Sequence, residues 1–174
     1  MPSAMIPEKI DAYNVYLDDN RLVGISSEVT LPDFEAMTET ISGSGILGEY
    51  ESPATGQFGS MELEIPFRVI YEEIGSIMKI SRATSITLRG SMQLTNSETT
   101  EIDNVPVRVV VRGKCKKTTT GKLVQAKAME SSVTLEILYI LIEVNGVAQV
   151  ELDKLNFKYV LNGEDQLELI RSQC

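Results

Sequence analysis

Histidine and tryptophan are both absent from the 174 residues, and each absence removes a class of function. Without histidine there is no imidazole to serve a Ser-His-Asp or Cys-His nucleophile, to shuttle protons near neutral pH, or to ligate a metal. Cysteine is nearly absent too. Cys115 and Cys174 fit no metal or redox spacing, and Cys174 is the last residue, which reads as a loose terminal thiol. The chain contains no GxxxxGK[ST], GxSxG or GxGxxG. The adjacent carboxylates Glu72 and Glu73 are of a type that does acid–base work, but on an acidic surface such neighbours read as solvated. No apolar run approaches the roughly 18 residues of a membrane span; the longest is ILYILI at 137–142. The first residues, MPSAMIPEKIDAYNVYL, lack the basic start and apolar core of a secretory signal. These absences point away from an enzyme, a cofactor, a metal or a membrane-bound chain, with the cytosol as default compartment.

What is present is ordinary in amount and unusual in arrangement. The length fits a single domain over 1–174, and 43% hydrophobic with 24% charged residues is typical of a globular chain. The net charge of −9 is unevenly spread. Residues 22–67 hold eight acids and no Lys or Arg, whereas 68–127 hold eleven bases and five acids. Such segregation implies one surface that repels polyanions and another that attracts acidic partners; chance clustering on a solvated surface is the plainer alternative. The stripe Arg108, Arg112, Lys114, Lys116, Lys117 and Lys122 resembles a nucleic-acid patch, but it has no interleaved aromatics and the isoelectric point is near 4.6.

Period-two alternation dominates. MELEIPFRV places Met61, Leu63, Ile65, Phe67 and Val69 on one face and Glu62, Glu64 and Arg68 on the other. SITLRGSMQL turns Ile86, Leu88, Met92 and Leu94 inward, and VPVRVVVRG aligns Val105, Val107, Val109 and Val111. LVGISSEVTL reads as a strand with Val23, Ile25, Val29 and Leu31 opposite Glu28 and Thr30. SVTLEILYILIEV starts as alternation and becomes apolar on both faces from Ile137 to Ile142, so it needs cover on two sides, which a partner chain would supply. Turns are expected at Asp18–Asn20, Asn145–Gly146 and Asn162–Gly163. Two short helices are expected: one with Ile70, Ile74, Ile77 and Met78 at helical spacing, and a C-terminal one started by Asn162 or Gly163 with Glu164 and Asp165 in its first turn. The fold class is therefore mainly β, an antiparallel sandwich or barrel with one or two short helices.

One stretch resists this pattern. Between Gly43 and Gly59 lie five of the twelve glycines, mixed with Ile46, Leu47, Glu49, Tyr50, Glu51, Pro53 and Phe58. A loop of that length is usually functional or disordered, and a disordered linker does not normally carry that much apolar surface. It reads as a segment that packs either onto itself as an Ω-loop or onto a neighbour.

The ordered set of segments resembles the major tail tube proteins of contractile phage tails and R-type bacteriocins. The resemblance runs from IPEKIDAYNVYLDDNRLVGISSEVTLPDF through ISGSGILGEYESP and MELEIPF to VPVRVVVRGKCKK, and is most specific in VNGVAQVELDKLNFKYVLNGEDQL. The segments PATGQFGS and CKKTTTGKL depart from it, which bears on ring-to-ring and tube-to-sheath contacts. The resemblance implies homohexameric rings whose inner strands join one continuous β-barrel. The rings stack into a rigid inner tube, with sheath protein, baseplate tube initiator and tape-measure protein as further partners. The lumen would conduct DNA in a phage, without holding it, or ions in a bacteriocin. The particle would be a virion tail or bacteriocin, assembled in the bacterial cytoplasm.

On that footing Ile46, Leu47, Glu49, Tyr50, Glu51 and Phe58 are candidates for inter-subunit or inter-ring contact. Glu28, Glu39, Glu62 and Glu64 are candidates for the lumen wall. Arg112, Lys114, Lys116, Lys117 and Lys122 are candidates for a basic contact surface located elsewhere, toward sheath or an adjacent ring. Two alternatives stay open: a tube protein like that of type VI secretion, carrying effectors, and a monomeric β-sandwich binding module. Sugar-binding faces usually present aromatics, which make up 6% of this chain.

Overall fold

The computed structural model describes residues 4–25 and 28–174. Among the described residues the chain is mainly β, with eleven strands and two six-residue helices. In order these are β1 (Met5–Leu17), β2 (Asn20–Leu22), β3 (Ala36–Ser42), β4 (Glu49–Phe58), β5 (Glu62–Phe67), α1 (Glu72–Ile77), β6 (Thr84–Asn96), β7 (Ile102–Thr119), β8 (Ser131–Val144), β9 (Val147–Asp153), β10 (Lys158–Leu161), β11 (Glu164–Asp165) and α2 (Glu168–Gln173). Nine strands form one antiparallel sheet in the order β11-β10-β9-β8-β7-β6-β1-β2, with β5 on β8; β3 and β4 pair only with each other.

Alternation explains the core. Leu63, Ile65 and Phe67 of β5 are buried together with Ile86 and Leu88 of β6, Val109 and Val111 of β7, and Val133 and Leu135 of β8. Each such side chain contributes about 1.5–3 kcal/mol when fully buried. Ile74 and Ile77 of α1 close over this cluster. Ile70 and Met78, expected on the same helical face, are exposed because the helix is only six residues long and ends before Met78. Val69 is also exposed, since β5 stops at Phe67.

The central strand β8 has β7 along one edge, while its other edge is shared end to end by β5 and β9. The change-over falls at Leu138. Arg112 faces Tyr139 and Gly113 faces Ile137, so Leu138 is an extra residue in a β-bulge. The strand stays apolar on both faces across this slip. Ile137 and Ile140 are both buried because the bulge resets the alternation, and Tyr139 and Leu141 are left half-buried.

Two expectations change. LVGISSEVTL is not one strand: β2 ends at Leu22, Gly24 takes φ +87°, and among the described residues the isolated bridges Ile25↔Phe67 and Thr30↔Glu64 tie the segment to β5. Ser26 and Ser27 of that stretch lie outside the described residues. These bridges curl the sheet back toward itself without a ladder that closes it. The C-terminal helix starts at Glu168, not after Gly163. Asn162 and Gly163, with φ 49° and 84°, are spent on a tight hairpin between β10 and β11, which takes up Glu164 and Asp165. The same turn chemistry appears where expected, at Asp18–Asp19 and Asn145–Gly146.

Candidate assembly surfaces

The Gly-rich stretch is a β-hairpin arm, not a structureless loop. Ser42↔Glu49, Ile41↔Tyr50, Thr40↔Glu51 and Glu39↔Ser52 pair in register. Gly45 and Gly48, at φ +92° and +97°, make the tip possible, because side chains rarely adopt that backbone. A lone two-stranded hairpin is marginal in water, so it needs an anchor. Its root supplies one. Phe58 lies edge-on between Phe34 and Tyr159, with centroids 5.7 and 5.2 Å away. Lys154 Nζ donates to the Gly59 carbonyl at 2.8 Å, and the Gly59 N–H donates to that of Glu35 at 3.0 Å. Gly56 lets β4 approach Leu167, whose Cδ2 would lie 2.9 Å from an added Cβ.

The expected contact residues therefore separate. Phe58 is packed into its own chain by that aromatic stack. Ile46 and Tyr50 are exposed, and Leu47 is fully so at 106%. Glu49 and Glu51 sit two apart on one face of β4 and, like Glu39, are exposed.

A second surface was not singled out in the sequence. β6 covers one edge of β1 throughout, but β2 pairs with the other only at Val15–Leu17. Among the described residues, Met5–Ala12 thus form an edge that no strand pairs. Ile6 and Ile10 are half exposed along it, while Pro7, Lys9 and two bulges blunt its outer part.

The acidic and basic candidates meet instead of separating. β5 and β7 flank β8, so Glu62 of β5 lies across from Glu136 of β8, which lies across from Lys114 of β7. Lys116 Nζ donates to Glu62 Oε1 and lies 3.6 Å from Glu136 Oε2. That hydrogen bond, chiefly, raises the Lys116 pKa. Lys117 lines a groove of about 460 Å³ with Glu62, Glu64, Asp33 and Glu35. The expectation that the basic stripe lies away from the acidic strand is corrected by this pairing of distant segments. Arg112 stacks on the Tyr139 ring at 4.0 Å, and Lys122 pairs with Glu130 at 2.8 Å. Glu28 stands apart beside Tyr13, whose hydroxyl pKa is raised by burial and then by that carboxylate. Glu39 is on the arm, so the four lumen candidates do not form one face.

Among the described residues no three His, Cys, Asp or Glu side chains are placed to hold a metal ion, and no helix is long and apolar enough to cross a membrane. The chemistry on offer is pairing and packing: an acidic, apolar arm, a strand edge and a charge-balanced face. Comparison with known proteins bears on what these surfaces serve. A family profile described as phage tail tube protein FII matches residues 7–174. The tail tube protein of Escherichia phage P2 is 27% identical over 168 residues, which cover 94% of this chain and 94% of that protein.

Proposed function

The chain belongs to the phage tail tube protein family and is a structural component of a phage tail tube, and from that premise we propose that it forms hexameric rings which stack into the rigid inner tube of a contractile tail. The observation that carries this reading is the β3–β4 arm, which is firmly rooted and has an exposed apolar tip whose Leu47 no described residue covers. Within a ring, the Met5–Ala12 edge of β1 joins a neighbour's strand by β-augmentation. Between rings, Ile46, Leu47, Glu49, Tyr50 and Glu51 of the arm make the stacking contact, which is head-to-tail and so generates a filament.

The lumen conducts DNA if the particle is a phage, or ions if it is a bacteriocin. A conducting wall must not bind phosphate, whose affinity comes from Lys and Arg. In this reading Glu62 and Glu64 line the lumen and mask Lys116 and Lys117 beside them, so the face passes DNA without retaining it. Sheath protein surrounds the tube, a baseplate initiator nucleates it and a tape-measure protein sets its length.

Negative-stain electron microscopy of concentrated protein, with and without baseplate components, tests the proposal. Rings or hollow tubes with six-fold end views are expected, and deletion of residues 46–51 is expected to leave a folded subunit that makes no tubes. A protein that stays monomeric even with baseplate components, or normal tubes from the deletion variant, would sink the corresponding part of the reading.

A further inference from the structure

Stacking needs a surface to receive the arm, and the molecule carries a complementary one. β5 and β8 form a single antiparallel ladder, from Glu62↔Glu136 to Phe67↔Ser131. The root of the arm adjoins its first end, where the Ile137 N–H donates to the Met61 carbonyl at 2.8 Å. At its other end the chain leaves β5 into residues 68–83 and enters β8 from residues 120–130. These two loops are joined there, the Met129 N–H donating to the Arg68 carbonyl at 2.7 Å. Arm root and joined loops are thus separated by the length of a six-residue strand, roughly 17–20 Å.

The two ends carry opposite kinds of uncommitted charge around the same kind of apolar surface. On the arm, Glu39, Glu49 and Glu51 have no cation within ion-pair reach among the described residues. On the joined loops, Arg68, Lys79, Arg82 and Lys127 are exposed and have no carboxylate within that reach among the described residues. Lys122 there is paired with Glu130, and Glu72 and Glu73 are the other acids present. Ile80 is 71% exposed and Leu123 87%, with Met78 and Val124 also open. Single exposed apolar residues are commonplace, but a group framed by unpaired cations, opposite an apolar tip framed by unpaired acids, is a matched pair of surfaces.

We propose that the loop end formed by residues 68–83 and 120–130 receives the arm tip of a second copy of the chain. Ile46 and Leu47 bury against Ile80 and Leu123, and Glu49 and Glu51 meet Lys79 and Arg82. Apolar burial supplies most of the affinity. The charge pairs, exposed at the rim, contribute little each and chiefly set orientation and rate of encounter. Because the surfaces differ, the contact is heterologous, and each added layer presents a fresh arm or a fresh loop end. This rests on the stacking reading and names its receiving surface.

Charge reversal with rescue is the test. Glu49→Lys/Glu51→Lys and Lys79→Glu/Arg82→Glu should each lower the yield of sedimentable tubes by about tenfold, and the quadruple variant should recover to within about twofold of wild type. Absence of tubes from wild type with baseplate components overturns the stacking reading and this inference with it. Wild-type tubes, combined with a normally folded quadruple variant that does not assemble, overturn the inference alone, as do tubes unaffected by either reversal. The neutral pair Glu49→Gln/Glu51→Gln guards against misfolding of the quadruple. It should flatten the salt dependence of assembly, and an unchanged salt dependence overturns the proposed charge matching.

Discussion

Two leucines should answer the same substitution in opposite ways. Leu63 is 0% exposed in the middle of β5, whereas Leu47 at the arm tip is 106% exposed. Leu63→Ala removes packed atoms and leaves a cavity that the surrounding strands cannot fill, a cost of about 2–5 kcal/mol. For a domain of this size that lowers the melting temperature by about 5–15 °C. Leu47→Ala removes atoms that touch no other described residue of the subunit, so the expected change is within about 0.5 kcal/mol, or about 2 °C at most. In the stacked assembly the order reverses. If the tip is buried there, losing three carbons at about 0.8 kcal/mol each weakens every arm contact by about 2 kcal/mol, roughly 30-fold. Circular dichroism melts on dilute, dispersed protein measure the first quantity, and the critical concentration for tube formation by sedimentation measures the second. A Leu47→Ala melting temperature as low as that of Leu63→Ala would show the tip packed in its own chain. An unchanged critical concentration would show that it is not buried between copies. Either result refutes the reasoning.

Other outcomes follow from particular contacts. Glu62→Lys/Glu64→Lys turns the compensated face into a cluster with Lys114, Lys116 and Lys117, and assembled tubes are expected to retain DNA through low-salt washing; tubes that retain none would remove these residues from the lumen wall. Gly113→Ala should destabilise the chain by about 3 kcal/mol, because the new Cβ would overlap the Glu136 carbonyl in the centre of the sheet, and a thermal melt within about 2 °C of wild type would contradict that. Acidification should loosen the C-terminal segment. Asp165 lies below its ordinary pKa of 3.8, mainly through the Leu167 N–H and then Arg171, so its contribution is complete above that value and fades as pH falls through the lower folded value. Asp165→Asn should remove this part of the pH dependence of melting between about pH 5 and pH 2, and an identical profile in the variant would count against it.

Much of the fold was legible because its signals are local. Alternation at Ile86, Leu88, Val109 and Val111 has one physical meaning, and so do two adjacent turn residues such as Asn145–Gly146. Legibility failed where one local signal serves two structures or where a distant partner decides. Asn162–Gly163 opens a helix or closes a hairpin with equal ease, and the pairing of β10 with β11 chose the hairpin. Alternation through Val23, Ile25 and Val29 gave no warning that Gly24 would turn the chain. The arm reads as loop because β4 carries Pro53 and Gly56, its outer end Glu49–Glu51 is exposed on both faces, and the part-covered face of its root is lined by the small Ser52, Ala54 and Gly56, so large apolar residues do not mark the alternation. Its apolar tip was nevertheless recognisable as surface without a home. The charge map failed most instructively. Acids of 22–67 and bases of 68–127 are separate along the chain, but β8 pairs with a strand from each block and brings Glu62 to Lys116.

The bulge at Leu138 also fixes how the molecule bears load. The arm enters the sheet at Met61, beside the point where β8 exchanges β5 for β9, and Lys154 from the end of β9 is tied to the arm's root at Gly59. A pull on the arm along β5 is therefore shared at once by all the rungs from Glu62↔Glu136 to Phe67↔Ser131, in shear, and none can open before the others. A pull across the strand would instead peel those rungs one at a time from the Glu62 end, and the Lys154 strut is placed at that end, where peeling would begin. The subunit is thus stiff against tension along one axis, like a riveted lap joint, and that axis runs from the arm to the loops proposed to hold the next arm in line.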